Sequence, residues 1–370
     1  MTSWALLGWA MALGCMLIQV VLWLRVYRRV GAWTPGPERG DLPRQPATMI
    51  ICARNEADNL AKHLPRFLSQ TDRSLQVMVV DDNSTDHTGE VLLSMPGSLE
   101  TFTTVIAPPK PAHWKGKKWP LEYGIRQARH NVLLLTDADG EPASDDWEKK
   151  MTALIGGPTR IVLGYAPYKC RPGWLNRLIR FETAWTAIQY LGWALAGHPY
   201  MGVGRNLAYT KDIFLEAGGL ARHADLPGGD DDLFLQEVAT GTNTSVQLDP
   251  STFVYSEPES TWRDWLRQKR RHLSTSWRYK RSTQVLLGLH AASLLLFYPG
   301  LWLTGGPWWI ILGLIMVRWT LITWWMGRSL QRLGEQDLIR WIPILDTLYL
   351  IYLVVMTAIT VNNQKPSTWK

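Results

Sequence analysis

Asn131-Val132-Leu133-Leu134-Leu135-Thr136-Asp137-Ala138-Asp139 decides how this chain is read. The run 131–136 has the character of a buried strand, and its carboxyl end passes straight into two acids. Strand alternation points Asp137 and Asp139 the same way. A hard divalent cation takes such oxygens and keeps positions open for phosphate oxygens of a substrate. In open α/β sheets, ligands bind beyond the carboxyl ends of the strands. Alone, Asp-x-Asp says little. Here it lies between two further acidic turns, Val79-Val80-Asp81-Asp82-Asn83-Ser84-Thr85-Asp86 and Gly229-Asp230-Asp231-Asp232.

Working outward, short apolar runs alternate with helical patterns. Strands are expected at 48–52, 76–80 and 103–106, with helices over 57–68, from Thr85, and over 120–129. This alternation predicts a mostly parallel α/β sheet with its site along one edge. Trp174, Leu178, Phe181, Trp185, Ile188 and Leu195 recur at helical spacing, with Arg171, Arg177 and Arg180 off the stripe. A helix lying on a bilayer and a core helix of the domain both fit that pattern.

Apolar residues collect at the two ends. The stretch 4–24 has Gln19 as its one strongly polar side chain and is long enough to cross a hydrocarbon core about 30 Å thick. Stretches 285–303, 307–326 and 341–360 are three more candidates. No basic residue precedes the first stretch, whereas Arg25, Arg28 and Arg29 follow it, which favours a retained anchor over a cleaved signal peptide. Arg328, Arg332 and Arg340 mark the loop after the third stretch in the same way. The expected topology has both termini outside and 25–284 in the cytoplasm, on the inner face of a cell membrane. Many of the 21 tryptophans sit at span ends, as Trp308, Trp309, Trp324 and Trp325 do, while Trp147 reads as an ordinary core residue. Arg318 and Asp346 fall at similar depth in neighbouring spans and are expected to pair.

The formal net charge is +7, but eight basic residues crowd into 263–281 beside a membrane span. Lipid headgroups and nucleotide phosphate account for that charge, and no nucleic-acid partner is expected. Three cysteines without paired spacing support neither a disulfide framework nor a zinc site. The expected division is an anchor at 1–25, a Pro- and Gly-rich linker at 26–46, and a catalytic domain at 47–260. A basic interfacial segment at 261–284, a three-helix membrane bundle at 285–361 and a tail at 362–370 complete it.

Together these pieces resemble the membrane-integrated family 2 glycosyltransferases of GT-A fold, the branch of ceramide glucosyltransferase and cellulose synthase. The resemblance implies a GT-A domain flanked by one N-terminal and three C-terminal transmembrane helices. It makes Ile50-Ile51-Cys52-Ala53-Arg54-Asn55-Glu56 the opening nucleotide-binding turn, with Ala53, Asn55 and Glu56 on the nucleoside. Asp81 and Asp82 match the next acidic turn, where a carboxylate accepts from the base. Lys117, in His113-Trp114-Lys115-Gly116-Lys117-Lys118, is placed to reach donor phosphate. Asp139 becomes the direct ligand of Mg²⁺ or Mn²⁺, and Asp137 serves ribose or the metal. Met201-Gly202-Val203-Gly204-Arg205-Asn206 becomes a turn near the acceptor, with Gly202 and Gly204 on that side.

Gly229-Asp230-Asp231-Asp232-Leu233 aligns with the family's Glu-Asp-x-Asp-Leu, with Gly229 in place of Glu. Asp230 takes the general-base position and Asp232 the supporting, acceptor-side acid. Three adjacent carboxylates repel, so at least one is expected to have a raised pKa or to need a cation or arginine partner. Gln268-Lys269-Arg270-Arg271-His272 matches Gln-x-x-Arg-Trp except at its end. Gln268 and Arg271 fall on the donor diphosphate, and acceptor-side His272 is a poorer stacking surface than Trp. The implied activity is an inverting, metal-dependent transfer of a sugar, from a UDP-sugar by preference, to a lipid hydroxyl. A processive polysaccharide synthase and a catalytically silent assembly factor are the alternatives.

Overall fold

The computed structural model describes residues 2–36, 45–70, 74–96, 101–273 and 275–362, and within them all side chains except those of 272, 273 and 359–362. The strands are β1 (Ala47–Ala53), β2 (Gln76–Asp81), β3 (Phe102–Ile106), β4 (Val132–Asp137), β5 (Glu141–Pro142), β6 (Ile161–Leu163), β7 (Leu207–Thr210), β8 (Thr244–Val246) and β9 (Val254–Tyr255). Helices α1 (Ser3–Leu22), α2 (Arg28–Gly31), α3 (Ala57–Leu68), α4 (Thr88–Ser94), α5 (Lys118–Gln127), α6 (Trp147–Thr152) and α7 (Trp174–Leu195) cover the first half of the chain. The second half adds α8 (Lys211–Glu216), α9 (Asp232–Val238), α10 (Trp262–Leu273), α11 (Arg281–Leu303), α12 (Trp308–Arg332) and α13 (Ile342–Asn362).

Seven strands form one sheet in the order β3-β2-β1-β4-β7-β6-β8. The first four are parallel, β7 runs antiparallel to both β4 and β6, and β8 is parallel to β6. Alternation sorts the strand residues into two cores. Met49, Ile51, Val77, Val79 and Leu134 face Leu60, Leu64, Phe67 and Trp147. Ile50, Met78, Val80, Leu133 and Leu135 face Leu121, Ile125 and Ile188 on the other side. Covering both faces is what gives β4 its unbroken apolar run, each such side chain contributing about 1.5–3 kcal/mol on burial. Trp147 is fully buried, as expected of a core tryptophan, and its Nε1 donates to Asn206 Oδ1 at 3.0 Å.

The stripe over 174–195 belongs to a core helix. Leu178, Phe181, Trp185 and Ile188 are buried, and α7 is wedged between the sheet and the apolar helices at the chain ends. Arg180, which lies off that stripe, is buried as well. Its Nε donates to Glu335 Oε2 at 2.8 Å and its terminal nitrogens to both Asp337 oxygens at 2.5 and 2.9 Å, while Tyr165 Oη donates to Glu335 Oε1 at 3.3 Å. A stripe drawn from apolar spacing omits Arg180 because its partners come from the distant α12–α13 connection. Burial pushes the Glu335 carboxyl up to about 7 against the pull of Arg180.

Four helices are long and apolar enough to cross a membrane: Ser3–Gly31, Arg281–Leu303, Trp308–Arg332 and Gln336–Ala358. The first runs beyond residue 25, through a π-turn at Trp23–Tyr27, because Trp23, Val26, Tyr27 and Val30 are buried against α7 and its neighbours. The expected linker falls partly on 37–44, and the tail on 363–370, outside the described residues. Against α11, α1 packs almost backbone to backbone. A Cβ on Gly300 would meet the Ala12 nitrogen at 2.9 Å, an approach that small residues permit in membrane helices. Arg318 and Asp346 do pair, at 2.5 and 3.2 Å, and Arg318 also reaches Gln19 and Tyr298. One guanidinium thereby touches all four apolar helices.

Candidate active site

The carboxyl ends of β2, β1 and β4 lie side by side and carry Asp81, Ala53 and Asp137. Beyond the first two, Asn55 and Asn83 take left-handed backbone conformations, with φ of 56° and 58°. The turns then lock together. Asn55 Oδ1 accepts from the Thr85 N–H at 2.8 Å, and the Asn55 N–H donates to Ser84 Oγ at 2.9 Å. Asp81 Oδ1 accepts from the Ser84 N–H and hydroxyl at 2.9 and 2.6 Å. Asp86 accepts from the N–H groups of Ala57 and Thr88, serving the starts of α3 and α4 together. Asn55 and Asp81 therefore shape the rim as well as lining it. Glu56 Oε2 accepts from Asn59 at 2.5 Å, and the buried Asp82 holds Lys110 at 2.9 Å and Arg54 at 3.6 Å.

Lys117 occupies the centre. Its ammonium lies 2.8 Å from Asp137 Oδ1 and 3.3 Å from Asp230 Oδ2, in a cavity that Cys52, Thr136 and Gly204 also line. Burial opposes the charge on Lys117, but Asp137, Asp230 and Asp231 outweigh it and hold its pKa well above the ordinary value. Gly116 makes this placement possible. Its φ is +67°, and a Cβ there would lie 2.0 Å from the Pro227 carbonyl oxygen. The Lys115 N–H donates to Ala224 O at 2.7 Å and Lys118 Nζ to Leu226 O, so the lysine loop is sewn to the loop that delivers Asp230.

That acidic turn explains its own departure from the family pattern. Gly229 has φ +91°, and a Cβ would meet Leu233 Cδ1 at 2.5 Å, so glutamate does not fit this backbone. The three acids have separate surroundings. Asp230 faces Lys117. Asp231 Oδ2 accepts from the Gly204 N–H at 2.7 Å, and burial together with Asp230 and Asp232 pushes its carboxyl up to about 7. Asp232 Oδ2 accepts from Thr275 Oγ1 at 2.5 Å and Tyr279 Oη at 2.7 Å, which fastens the α10–α11 connection beneath the site. Asp232 thus braces the acidic turn from a buried position. Gly202 is closed in by Leu235 and Leu163, whereas Gly204 borders the cavity.

Burial, and after it the charge of Asp137, raises the Asp139 pKa; burial also works on Asp137, where Lys117, Arg205 and Arg271 prevail and lower it. Arg271 is half-buried beside the acidic turn: a Cβ on Gly228 would lie 3.8 Å from its carbonyl oxygen. On α10, Gln268 Oε1 accepts from Tyr168 Oη at 3.4 Å, and Lys269 pairs with Glu182 of α7. His272 lies in the last turn of α10, its side chain outside the described residues. Among the described residues no three His, Cys, Asp or Glu side chains are grouped to cage a metal. Two carboxylates, one with its proton affinity raised by the other, fit instead a Mg²⁺ or Mn²⁺ site completed by substrate phosphate.

Sequence reasoning passed over Arg205, Tyr168 and Asp231. The Arg205 guanidinium stacks over Tyr168 at 4.5 Å, and its charge is felt by Asp137 and Asp139. The quoted Met201–Asn206 turn contained Arg205, but no spacing rule sets it apart. Repulsion among three acids was the available signal for Asp231.

Two family models match the chain: Glycosyl transferase family 2 over residues 48–214 and Glycosyl transferase family group 2 over residues 153–361. The Probable glycosyltransferase YdaM of Bacillus subtilis (strain 168) is 25% identical over 241 residues, 62% of this chain. The match spans about half of that relative, 54% of its length. Among solved structures, the mannosyltransferase PcManGT from Pyrobaculum calidifontis, in complex with GDP-Man and Mn²⁺, is similar with a TM-score of 0.59 and 16% identity, over 94% of this chain and 99% of that one. That likeness concerns the fold. With the acidic turns gathered at one edge of a largely parallel sheet, the chain belongs to the family 2 glycosyltransferases and has a GT-A fold carrying four apolar helices.

Proposed function

We propose that this protein is an inverting glycosyltransferase that moves a sugar from a nucleotide diphosphate to the hydroxyl of a membrane lipid at the cytoplasmic face. The observation that carries the reading is Lys117, whose single ammonium touches the metal turn at Asp137 and the base position at Asp230. Acids 93 residues apart in sequence thereby share one small cavity.

In this reading Ala53, Asn55, Glu56, Asp81 and Asp82 form the nucleoside rim. Lys117 leaves Asp230 when donor binds and turns to a phosphate oxygen. Asp230, so released, takes the proton of the acceptor hydroxyl as that oxygen attacks the anomeric carbon opposite the departing diphosphate. Arg271, assisted by Gln268, holds the diphosphate, for which a planar guanidinium fork is suited. A Mg²⁺ or Mn²⁺ ion held by Asp139 and Asp137 would supply Lewis acidity toward the same charge. Four apolar helices, the first and last of them packed onto α7, support entry of the acceptor from the bilayer, and the arginines at 25–29 and 328–340 support a cytoplasmic catalytic domain. Three C-terminal spans are few for a polymer channel, which favours one sugar added to one lipid over processive synthesis. Product length on radiolabelled donor separates the two. PcManGT was captured with GDP-Man, so GDP-mannose and UDP-glucose are both donors to try.

Purified full-length protein in lipid nanodiscs provides the test. Asp230→Asn should slow transfer by roughly 10²–10⁴-fold while nucleotide affinity holds. Asp231, whose carboxyl lies near neutrality, is the competing base, and Asp231→Asn is measured alongside. Parallel loss of transfer and nucleotide binding in Asp230→Asn rejects the base assignment.

A further inference from the structure

We infer that Arg205 binds an oxyanion on the acceptor, so that the lipid headgroup carries a carboxylate or phosphate beside the hydroxyl that receives the sugar. This rests on the transfer reading above and narrows its substrate class.

Arg205 differs from the other cations around the sheet. Lys117 is held by two carboxylates, Lys110 by Asp82, Arg180 by Glu335 and Asp337, and Arg160 by Glu216. The Arg205 Cζ sits over the Tyr168 ring, 4.5 Å from its centroid, and the guanidinium gives one hydrogen bond, from Nη2 to the Ala166 carbonyl at 3.0 Å. Among the described residues no carboxylate comes within ion-pair distance of it. Asp139 and Asp137 act on it only through their fields. A partly buried guanidinium has five donors to satisfy, in a fork that matches a carboxylate or phosphate. Most of its donors remain for a ligand.

Sheet order says which substrate supplies that ligand. Along the edge β2-β1-β4-β7, the nucleoside turns follow β2 and β1, the Asp137–Asp139 turn follows β4, and Arg205 immediately precedes β7. Arg205 and the nucleoside rim therefore flank the metal turn from opposite sides. The wall behind Arg205 leads to the bilayer. Tyr168 bonds Gln268 of α10, and Trp265 of the same helix stacks on Tyr352 of α13 at 5.2 Å. A headgroup arriving along the spans meets Arg205 before it reaches the anomeric carbon. Atom balance is unchanged, since the acceptor hydroxyl still forms the new C–O bond and Asp230 still takes its proton. The oxyanion is held and not consumed.

The test measures binding of dodecyl phosphate, dodecanoate and dodecanol to the full-length protein in nanodiscs without donor, and of UDP and GDP with Mn²⁺. Wild type should prefer at least one of the two anionic amphiphiles to dodecanol. Arg205→Gln should weaken that amphiphile by roughly 10- to 100-fold, the worth of a charged hydrogen bond. Its UDP and GDP affinities with Mn²⁺ should fall much less than its affinity for that amphiphile. Arg205→Lys, which keeps the charge without the fork, should recover part of the loss. Equal affinity of wild type for all three amphiphiles overturns the inference. So does an Arg205→Gln protein that loses UDP or GDP as strongly as the amphiphile, because the guanidinium then serves the donor diphosphate. A wild type that binds the anionic amphiphile through Arg205 yet neither hydrolyses nor transfers a sugar upholds Arg205 and removes the enzymatic reading.

Discussion

Exchanging Arg318 and Asp346 tests how the four apolar helices are held together. Arg318 of α12 pairs with Asp346 of α13, donates from Nε to Gln19 Oε1 of α1 at 2.9 Å, and donates to Tyr298 Oη of α11 at 3.2 Å. Both charged residues are buried, at 2% and 6% exposure, so neither side chain has water to fall back on. Arg318→Asp or Asp346→Arg alone sets two like charges together. Breaking one buried pair costs about 3–5 kcal/mol, and a lone charge at bilayer depth about 2.5–3.5 kcal/mol on insertion scales. The double exchange restores the attraction. Tyr298 can donate to a carboxylate as readily as accept from a guanidinium. Gln19 is less free, because its Nε2 already donates to Ser293 O at 2.8 Å, and turning the amide gives up that bond. The exchanged protein should therefore stop short of wild type by about 1 kcal/mol, one net hydrogen bond, while recovering most of the loss in either single variant. Unfolding in mixed micelles of rising SDS fraction, followed by tryptophan fluorescence, gives the three differences. A double variant as unstable as the sum of the singles would refute the reasoning.

Three further outcomes follow from the site. Nucleoside diphosphate should bind wild type roughly tenfold or more tightly with Mn²⁺ than with EDTA, and Asp139→Asn should erase that difference; a variant that keeps it removes Asp139 from the metal turn. Asp232→Asn should lower stability by about 1.5–3 kcal/mol by weakening the bonds from Thr275 and Tyr279, and an unchanged melting temperature counts against its role as a brace. The Asp231 carboxyl, raised by burial and its two acidic neighbours to about 7, keeps a proton in the folded state that the unfolded chain loses near pH 4, so its contribution to stability falls as pH rises between those values. Asp231→Asn should remove that fall, and its melting temperature should gain on that of wild type between pH 5 and pH 8; parallel curves would show that Asp231 titrates normally.

Several site positions were legible because they follow from strand chemistry. A strand covered on both faces must be apolar throughout, and a charge directly after it must lie at the sheet edge, which places Asp81 and Asp137 without coordinates. The apolar end segments needed only length and composition. Other features depended on partners far away in sequence. Arg180 is buried because Glu335 and Asp337 return to it from the α12–α13 connection, and α7 is a core helix because the spans close over it. Likewise Gly229, where the family pattern has Glu, takes a φ of +91° that L side chains rarely adopt, with Leu233 crowding the place of a Cβ.

The amino-acid order by itself determined that acids would line one edge of an α/β sheet and that apolar helices would flank it, since periodicity and hydropathy are properties of neighbouring residues. Tertiary structure alone decided that Lys117 bridges Asp137 and Asp230, that Asp232 braces the site from beneath, and that Arg205 lies over Tyr168 with no carboxylate at ion-pair distance among the described residues. A side chain's charge is written in the chain, but its partners are set by which loops the fold brings within a few ångströms, and Coulomb and hydrogen-bond energies act only over that reach.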